Sequence, residues 1–245
     1  MTRWKCTISY DGTQFSGYQV QPNKRTVQQE IETALQKMHK GKQMRITASG
    51  RTDAGVHAAG QVIHFDSPLS IPEDNWQRAL NTLVPSDIHI KTVERVSDDF
   101  HARFDVKKKE YRYRILHRPE RDLFRRLYTY HVPVPLDISV MQKAAKYILG
   151  THDFTSFCAS GTQVKDKVRT VFDVQIHVED DEICIHMIGN GFLYQMVRIA
   201  VGNLLTVGRG EAEPEEIKSI LEARDRRQAY ATAPAQGLYL WQVGY

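Results

Sequence analysis

Along residues 4–10 apolar and polar side chains alternate, the period of a half-buried strand, and Asp11-Gly12 ends the run as a turn. The period then changes. Thr26 and Gln29 stand at capping-box spacing, and Val27, Ile31, Ala34, Leu35 and Met38 recur at helical intervals until Gly41. Residues 45–48 and 61–65 return to strand character, separated by the glycine-rich segment 49–60. After Pro72, the positions of Trp76, Ala79, Leu80 and Leu83 mark a second amphipathic helix, and residues 88–96 read as a strand. Strand, helix, strand, strand, helix, strand is the order of a ferredoxin-like unit.

The same order returns further on. Residues 110–117 read as a strand, and Asp137 stands where a helix cap belongs, ahead of Met141, Ala144, Ala145 and Ile148. Residues 170–178 and 182–188 alternate like the arms of a hairpin around an acidic tip at 179–181. Leu193, Met196, Val197, Ala200, Val201, Leu204 and Leu205 then form the strongest helical stripe of the chain. A shorter helix from Pro214 and a strand over 238–243 complete the second unit. The pattern predicts an α+β protein of two ferredoxin-like βαββαβ units, residues 1–104 and 105–245, joined into an extended, mainly antiparallel sheet with helices on one face. Two such sheets side by side create a central cleft, and a basic strand at its start suits an RNA lining.

Composition narrows the class. With 41% apolar and 25% charged residues the chain is a packed globular protein, not a disordered one. No stretch approaches the ~20 apolar residues of a membrane span, and residues 1–10 lack the features of a secretory signal, so a cytoplasmic location is expected. Cys6, Cys158 and Cys184 are far apart and form no C-x-x-C pair, which points away from a disulfide framework and from zinc. The formal charge of +4 is too mild to identify a nucleic-acid binder, but ten Lys and Arg crowd between Arg103 and Arg126, interleaved with Phe104, Tyr111, Tyr113 and Phe124. Such a segment can hold phosphates and offer rings to bases, or it can simply be a solvated strand and loop.

Candidate chemistry concentrates in Ser49-Gly50-Arg51-Thr52-Asp53-Ala54-Gly55-Val56-His57. Glycines let the backbone bend sharply and aim the Arg and Asp side chains; the plain alternative is a wide turn with Asp53 bonded to its own backbone. His57 and His64 lack H-x-x-x-H spacing and a carboxylate cluster, so they read as structural histidines. Gly189-Asn190-Gly191 lacks the third glycine of a dinucleotide fingerprint and reads as a hairpin-to-helix turn. No G-x-x-x-x-G-K-[ST] loop is present.

Gly50 to His57, followed by Gln61-Val62-Ile63-His64-Phe65, resembles the signature of the TruA family of tRNA pseudouridine synthases. Tyr10-Asp11-Gly12 with Phe15, Gly17, Tyr18 and Gln19, Thr26-Val27-Gln28, Lys109-Glu110-Tyr111-Arg112-Tyr113, His152-Asp153-Phe154 with Phe157, and Gly189 to Arg198 also resemble that family, in a compatible order along nearly the whole chain. The resemblance implies isomerisation of uridine to pseudouridine at positions 38, 39 and 40 of the tRNA anticodon stem-loop, by a homodimer, without cofactor or metal. It assigns catalysis to Asp53, an ion pair with Asp53 to Arg198, and stacking on the target uracil to Tyr111. Arg51 is expected to contact the flipped nucleotide or its phosphate.

The chemistry agrees with a carboxylate. The N1–C1′ bond breaks, the uracil turns over, and C5 joins the same sugar carbon. Asp53 can attack C1′, attack C6, or remove the 2′ proton, and all three need it ionised. A partly dry site therefore calls for a compensating cation. Without the resemblance, Arg198 reads as a surface residue covering the core with its stem, and Tyr111 as a strand residue packing on its neighbours. Two other functions compete: a non-catalytic RNA-binding or tRNA-folding module, and a carboxylate-dependent nucleoside hydrolase. The hydrolase would need a second acid, which the loop does not contain.

Overall fold

The N-terminal alternation becomes strand β1, Thr2–Tyr10, in which Trp4, Cys6, Ile8 and Tyr10 are buried while the residues between them are not. The structure, a computed structural model, describes residues 1–245. It is a mixed α+β chain with mainly antiparallel strand pairing. It divides into two units, residues 1–107 with 239–245, and residues 108–238.

In the first unit, elements being numbered in chain order, β1 pairs antiparallel with β4, Ile88–Val96, on one side and with β3, His57–Ser67, on the other. The other edge of β3 is shared. β2, Thr47–Ala48, pairs with His64 and Ile63, and β10, Leu238–Gly244, runs parallel against His57 and Ala58. Helix α1, Val27–Met38, starts where Thr26 Oγ1 accepts from the Gln29 N–H at 3.4 Å, and α2 spans Glu73–Leu83. Trp76 of α2 is fully buried, with ring centroids 5.7 Å from Trp4 and 5.3 Å from Phe65, so one indole joins the helix to both central strands.

Three expectations change here. The strand expected at 45–48 shrinks to two residues because the Ile46 N–H donates to Glu32 Oε1 at 3.2 Å instead of to a neighbouring strand. The segment expected to be a loop as far as Gly60 is strand from His57 onward. The final strand, expected to complete the second unit, is grouped with the first from Tyr239 on: Tyr239 and Leu240 pair with His57 and Ala58, and the Tyr245 hydroxyl donates to Ala102 O at 2.7 Å.

The second unit orders β5 (Lys108–Leu116), β9 (Glu182–Gly189), β8 (Val168–Glu179) and β7 (Gly150–Asp153), each antiparallel to the next, with β6 (Tyr130–His131) parallel to the end of β5. β6 and β7 are too short to show a period and were not expected. Asp137 caps α3, Ile138–Ala145, by accepting from the Val140 N–H at 3.0 Å. The acidic hairpin tip is explained by its partners, since Asp181 receives Arg118 at 3.1 Å and Arg125 at 2.6 Å. Helix α4 spans Met196–Gly208, later than the apolar stripe begins, because Gln195 adopts φ 59° and sets the first turn at Met196. Every residue of α4 except Arg198 is buried, as befits a helix apolar nearly all round. Helix α5, Glu216–Ala223, follows. No helix is long and apolar enough to cross a membrane.

His64 makes the first unit sensitive to acid. Burial, with Arg3 and His101 adding to it, holds its imidazole down at about 4, and the Ala102 N–H donates to its Nδ1 at 3.0 Å. The folded value lies below the ordinary one of about 6.5, so the unfolded chain binds a proton first as pH falls. Its contribution is therefore complete above about 6.5 and drains away toward 4. In His64→Asn an amide oxygen can take the place of Nδ1 without titrating. Urea unfolding at pH 7 and pH 5 should show the wild type losing more stability than this variant. Equal losses would remove His64 from the account.

Candidate active site

The Asp53 loop is clamped at both ends and in the middle. At its start, Ser49 N–H donates to Val62 O at 2.8 Å, Ser49 Oγ donates to Gln61 Oε1 at 2.6 Å, and Gln61 Nε2 donates to Gly50 O at 2.8 Å. Gln61 is a fully buried amide in the middle of β3, and its work is to hold the turn that begins the loop. In the middle, Tyr10 Oη lies 2.8 Å from Thr52 Oγ1, and the Tyr18 N–H donates to Thr52 O at 3.0 Å. Burial pushes the Tyr10 phenol up to about 12, so it serves as a neutral hydrogen-bonding group. At the end, the Val56 N–H returns to Asp53 O at 3.2 Å and the Gly55 N–H reaches Phe15 O at 3.4 Å.

Two close approaches require glycine. A Cβ on Gly12 would fall 2.1 Å from Val56 O, and one on Gly17, already at φ +95°, would fall 3.1 Å from Thr52 O. The turn after β1 is thus laid directly against the loop. Gly12 N–H donates to His57 Nδ1 at 3.0 Å, and the His57 ring stacks on Tyr239 with centroids 4.7 Å apart. The result is a half-buried carboxylate, Asp53, between the buried Thr52 and the exposed Ala54, on backbone that cannot easily move. Arg51 is exposed on the same loop.

In the second unit Tyr111 is buried to 8% exposure, its ring edge-on to Phe192 at 5.1 Å. Phe192 lies in the turn that leads from β9 into α4, where Asn190 N–H donates to Thr170 O at 3.0 Å. Tyr113, on the same face of β5 as Tyr111, donates its hydroxyl to Pro234 O at 2.7 Å. Arg198 Nε donates to the preceding carbonyl, Ala233 O, at 2.8 Å, and the Ala233 N–H donates back to Arg198 O at 3.0 Å. Asn203 Oδ1 takes the Tyr230 N–H at 3.2 Å. Residues 229–234 therefore form a strap bound along α4, and the strap fixes the plane of the Arg198 guanidinium through Nε.

Arg51 and Asp53 share one loop of the first unit; in the second, Tyr111 lies against Phe192 and Arg198 against the 229–234 strap. The histidines read as structural have such partners: His57 serves Gly12, and His64 serves Ala102. Sequence reasoning quoted Tyr10 and Gln61 only as parts of family motifs and missed both their part in clamping the loop and the strap. A polar Gln inside the apolar run of β3 was the available signal for Gln61. No periodicity marks the strap.

The chain belongs to a family described as tRNA pseudouridine synthase, whose sequence model matches residues 7–105 and 144–245. Among its relatives is tRNA pseudouridine synthase A 1 of Bacillus cereus strain ATCC 14579, 57% identical over 245 residues, covering 100% of this chain and 99% of the relative. Another is tRNA pseudouridine synthase A of Bacillus subtilis strain 168, 55% identical over 244 residues, with 99% of both chains covered. A solved structure titled a Cbf5-Nop10-Gar1 complex has a chain that superposes with a TM-score of 0.40 at 11% identity, covering 97% of this chain and 57% of that one.

Proposed function

We propose that this protein is a tRNA pseudouridine synthase, an isomerase that converts uridine to pseudouridine at positions 38, 39 and 40 of the anticodon stem-loop. The observation that carries the reading is full-length relationship to proteins named tRNA pseudouridine synthase A. The clamped loop supports the assignment of Asp53 as the catalytic carboxylate, because a group that meets an extruded nucleotide must hold its position while the base moves. Arg198 is its counter-charge, keeping it ionised. Tyr111 stacks on the uracil, and Arg51 takes the flipped nucleotide or its phosphate. The two units are ferredoxin-like, the substrate is tRNA, and the enzyme works as a cytoplasmic homodimer without cofactor or metal.

Glycosidic cleavage frees N1, the uracil turns, C5 bonds to C1′, and the C5 proton leaves to water while N1 gains one. Mass is unchanged. The test is release of tritium from tRNA labelled at uridine C5. Release with retention of mass supports the isomerase, free uracil would indicate a hydrolase, and binding without release an inert RNA module.

A ring that holds a turning base should not depend on its hydroxyl. Tyr111→Ala is expected to lower kcat/KM about 5- to 100-fold, the worth of one stacked base. Tyr111→Phe should lose less than about tenfold, the net value of one hydrogen bond. Equal losses in both variants would assign the role to the hydroxyl instead.

A further inference from the structure

Residues 101–105 make a tight turn whose inward atoms are all engaged. Ala102, fully buried, donates its N–H to His64 Nδ1 at 3.0 Å and accepts at its carbonyl from the Tyr245 hydroxyl at 2.7 Å. The His101 N–H donates to Asp105 Oδ2 at 2.8 Å, and the Asp105 N–H donates back to His101 O at 3.1 Å. The Arg103 and Phe104 N–H groups both point to His101 Nδ1, at 3.1 and 3.2 Å. The turn is therefore held by its own hydrogen bonds, and it leaves the side chains of Arg103 and Phe104 exposed.

Phe104 is 74% exposed. One face of its ring lies parallel to the His101 imidazole, with centroids 4.2 Å apart, and His101 rests edge-on against His64 at 5.0 Å. The Arg103 guanidinium stands 5.8 Å from the same ring. A largely exposed aromatic ring, stacked on an imidazole and with a guanidinium over it, fits a flat, anionic unit: a nucleobase with its phosphate. A protein partner would call for a contiguous apolar patch, whereas the exposed neighbours in sequence, Ser97, Asp98, Asp99, Arg103, Lys107 and Lys108, are all polar, and Tyr245 is the one exposed ring bonded to the turn. Asp105 is turned in onto His101, which leaves Arg103 to meet the anion.

Resting on the tRNA reading above, we infer that this turn is a second RNA contact, remote from the catalytic loop, in which the exposed ring of Phe104 stacks on a nucleobase and Arg103 binds the adjoining phosphate. His64, which backs the turn, lies seven residues along β3 from His57 at the end of the Asp53 loop, about 23 Å by strand rise. The contact therefore falls on a part of the tRNA away from the target uridine. It anchors the substrate and takes no part in the bond exchange.

The experiment measures tRNA affinity by filter binding and tritium release under single-turnover conditions for the wild type, Phe104→Ala, Phe104→Trp and Arg103→Ala. Phe104→Ala is expected to raise Kd about 5- to 100-fold, with the rise in Kd and KM exceeding any loss in the rate at saturating tRNA. Phe104→Trp should restore affinity. Arg103→Ala should flatten the dependence of log Kd on log salt by about one unit. Unchanged Kd in Phe104→Ala would overturn the inference. So would weakened binding that tracks a changed sedimentation coefficient of the free protein, since the ring would then belong to an interface with a second copy. A wild type that neither binds tRNA nor releases tritium would instead defeat the proposed function, and that result is visible before any variant is made.

Discussion

Asp53→Asn is expected to slow tritium release from C5-labelled tRNA by at least about a thousandfold, because every route open to this residue needs an ionised oxygen and an amide supplies none. Binding should survive, with Kd for tRNA within about threefold, since the exchange of one oxygen for an NH2 group keeps the side chain's shape. The loop itself is held by other groups: Gln61 at its start, Tyr10 and the Tyr18 N–H at Thr52, and the Asp53 carbonyl at Val56. The measurement is a single-turnover rate at saturating tRNA beside a filter-binding isotherm. A variant that rearranges uridine at the wild-type rate would remove Asp53 from the chemistry. A variant that fails to bind would show that the carboxylate positions RNA, and the rate would then say nothing about catalysis.

Gly202→Ala should be among the most destabilising single-methyl additions this chain can receive. The added Cβ would stand 1.8 Å from Ala231 O and 3.0 Å from its carbon, and both are backbone atoms that no rotamer change can move aside. Either α4 or the 229–234 strap must shift. Overpacking against backbone of this kind costs about 3 kcal/mol or more, which for a chain of this size is a fall in Tm of roughly 6–12 °C. The loss should also reach activity, because the same strap carries the carbonyl that orients Arg198 Nε. Thermal unfolding followed by circular dichroism checks the first part, and tritium release at a temperature where the variant is folded checks the second. A fall in Tm below about 2 °C would mean that the strap yields freely and does not position the arginine.

The Asp53 loop was legible because its glycines, its Arg and its Asp are adjacent in the chain, so local composition alone marks a bent, polar segment between two strands. Helices α1 and α2 were legible because each buries one face, which leaves a period of 3.6 in the sequence. Arg198 stands out on α4 for the same reason in reverse, as the one residue not buried on a helix otherwise enclosed. What escaped were contacts that join distant segments. Gln61 looked like one more strand residue until its amide was found holding Ser49 and Gly50. Gly12 was legible only as a turn residue and Gly202 carried no signal, and only the approach of Val56 and Ala231 explains why no larger residue fits.

By itself, then, the order of amino acids determined the longer strands and the helices, where the bent polar loop begins, and which family pattern the chain carries, since each of these is written in neighbours or in a short period. The tertiary structure alone decided that the last strand lies beside His57 and Ala58, that β2 is cut short by Glu32, and that the 229–234 strap lies along α4. Such choices are settled by which backbones approach closely across long sequence separations. A missing Cβ, or a buried amide answering a distant carbonyl, leaves no periodic trace along the chain.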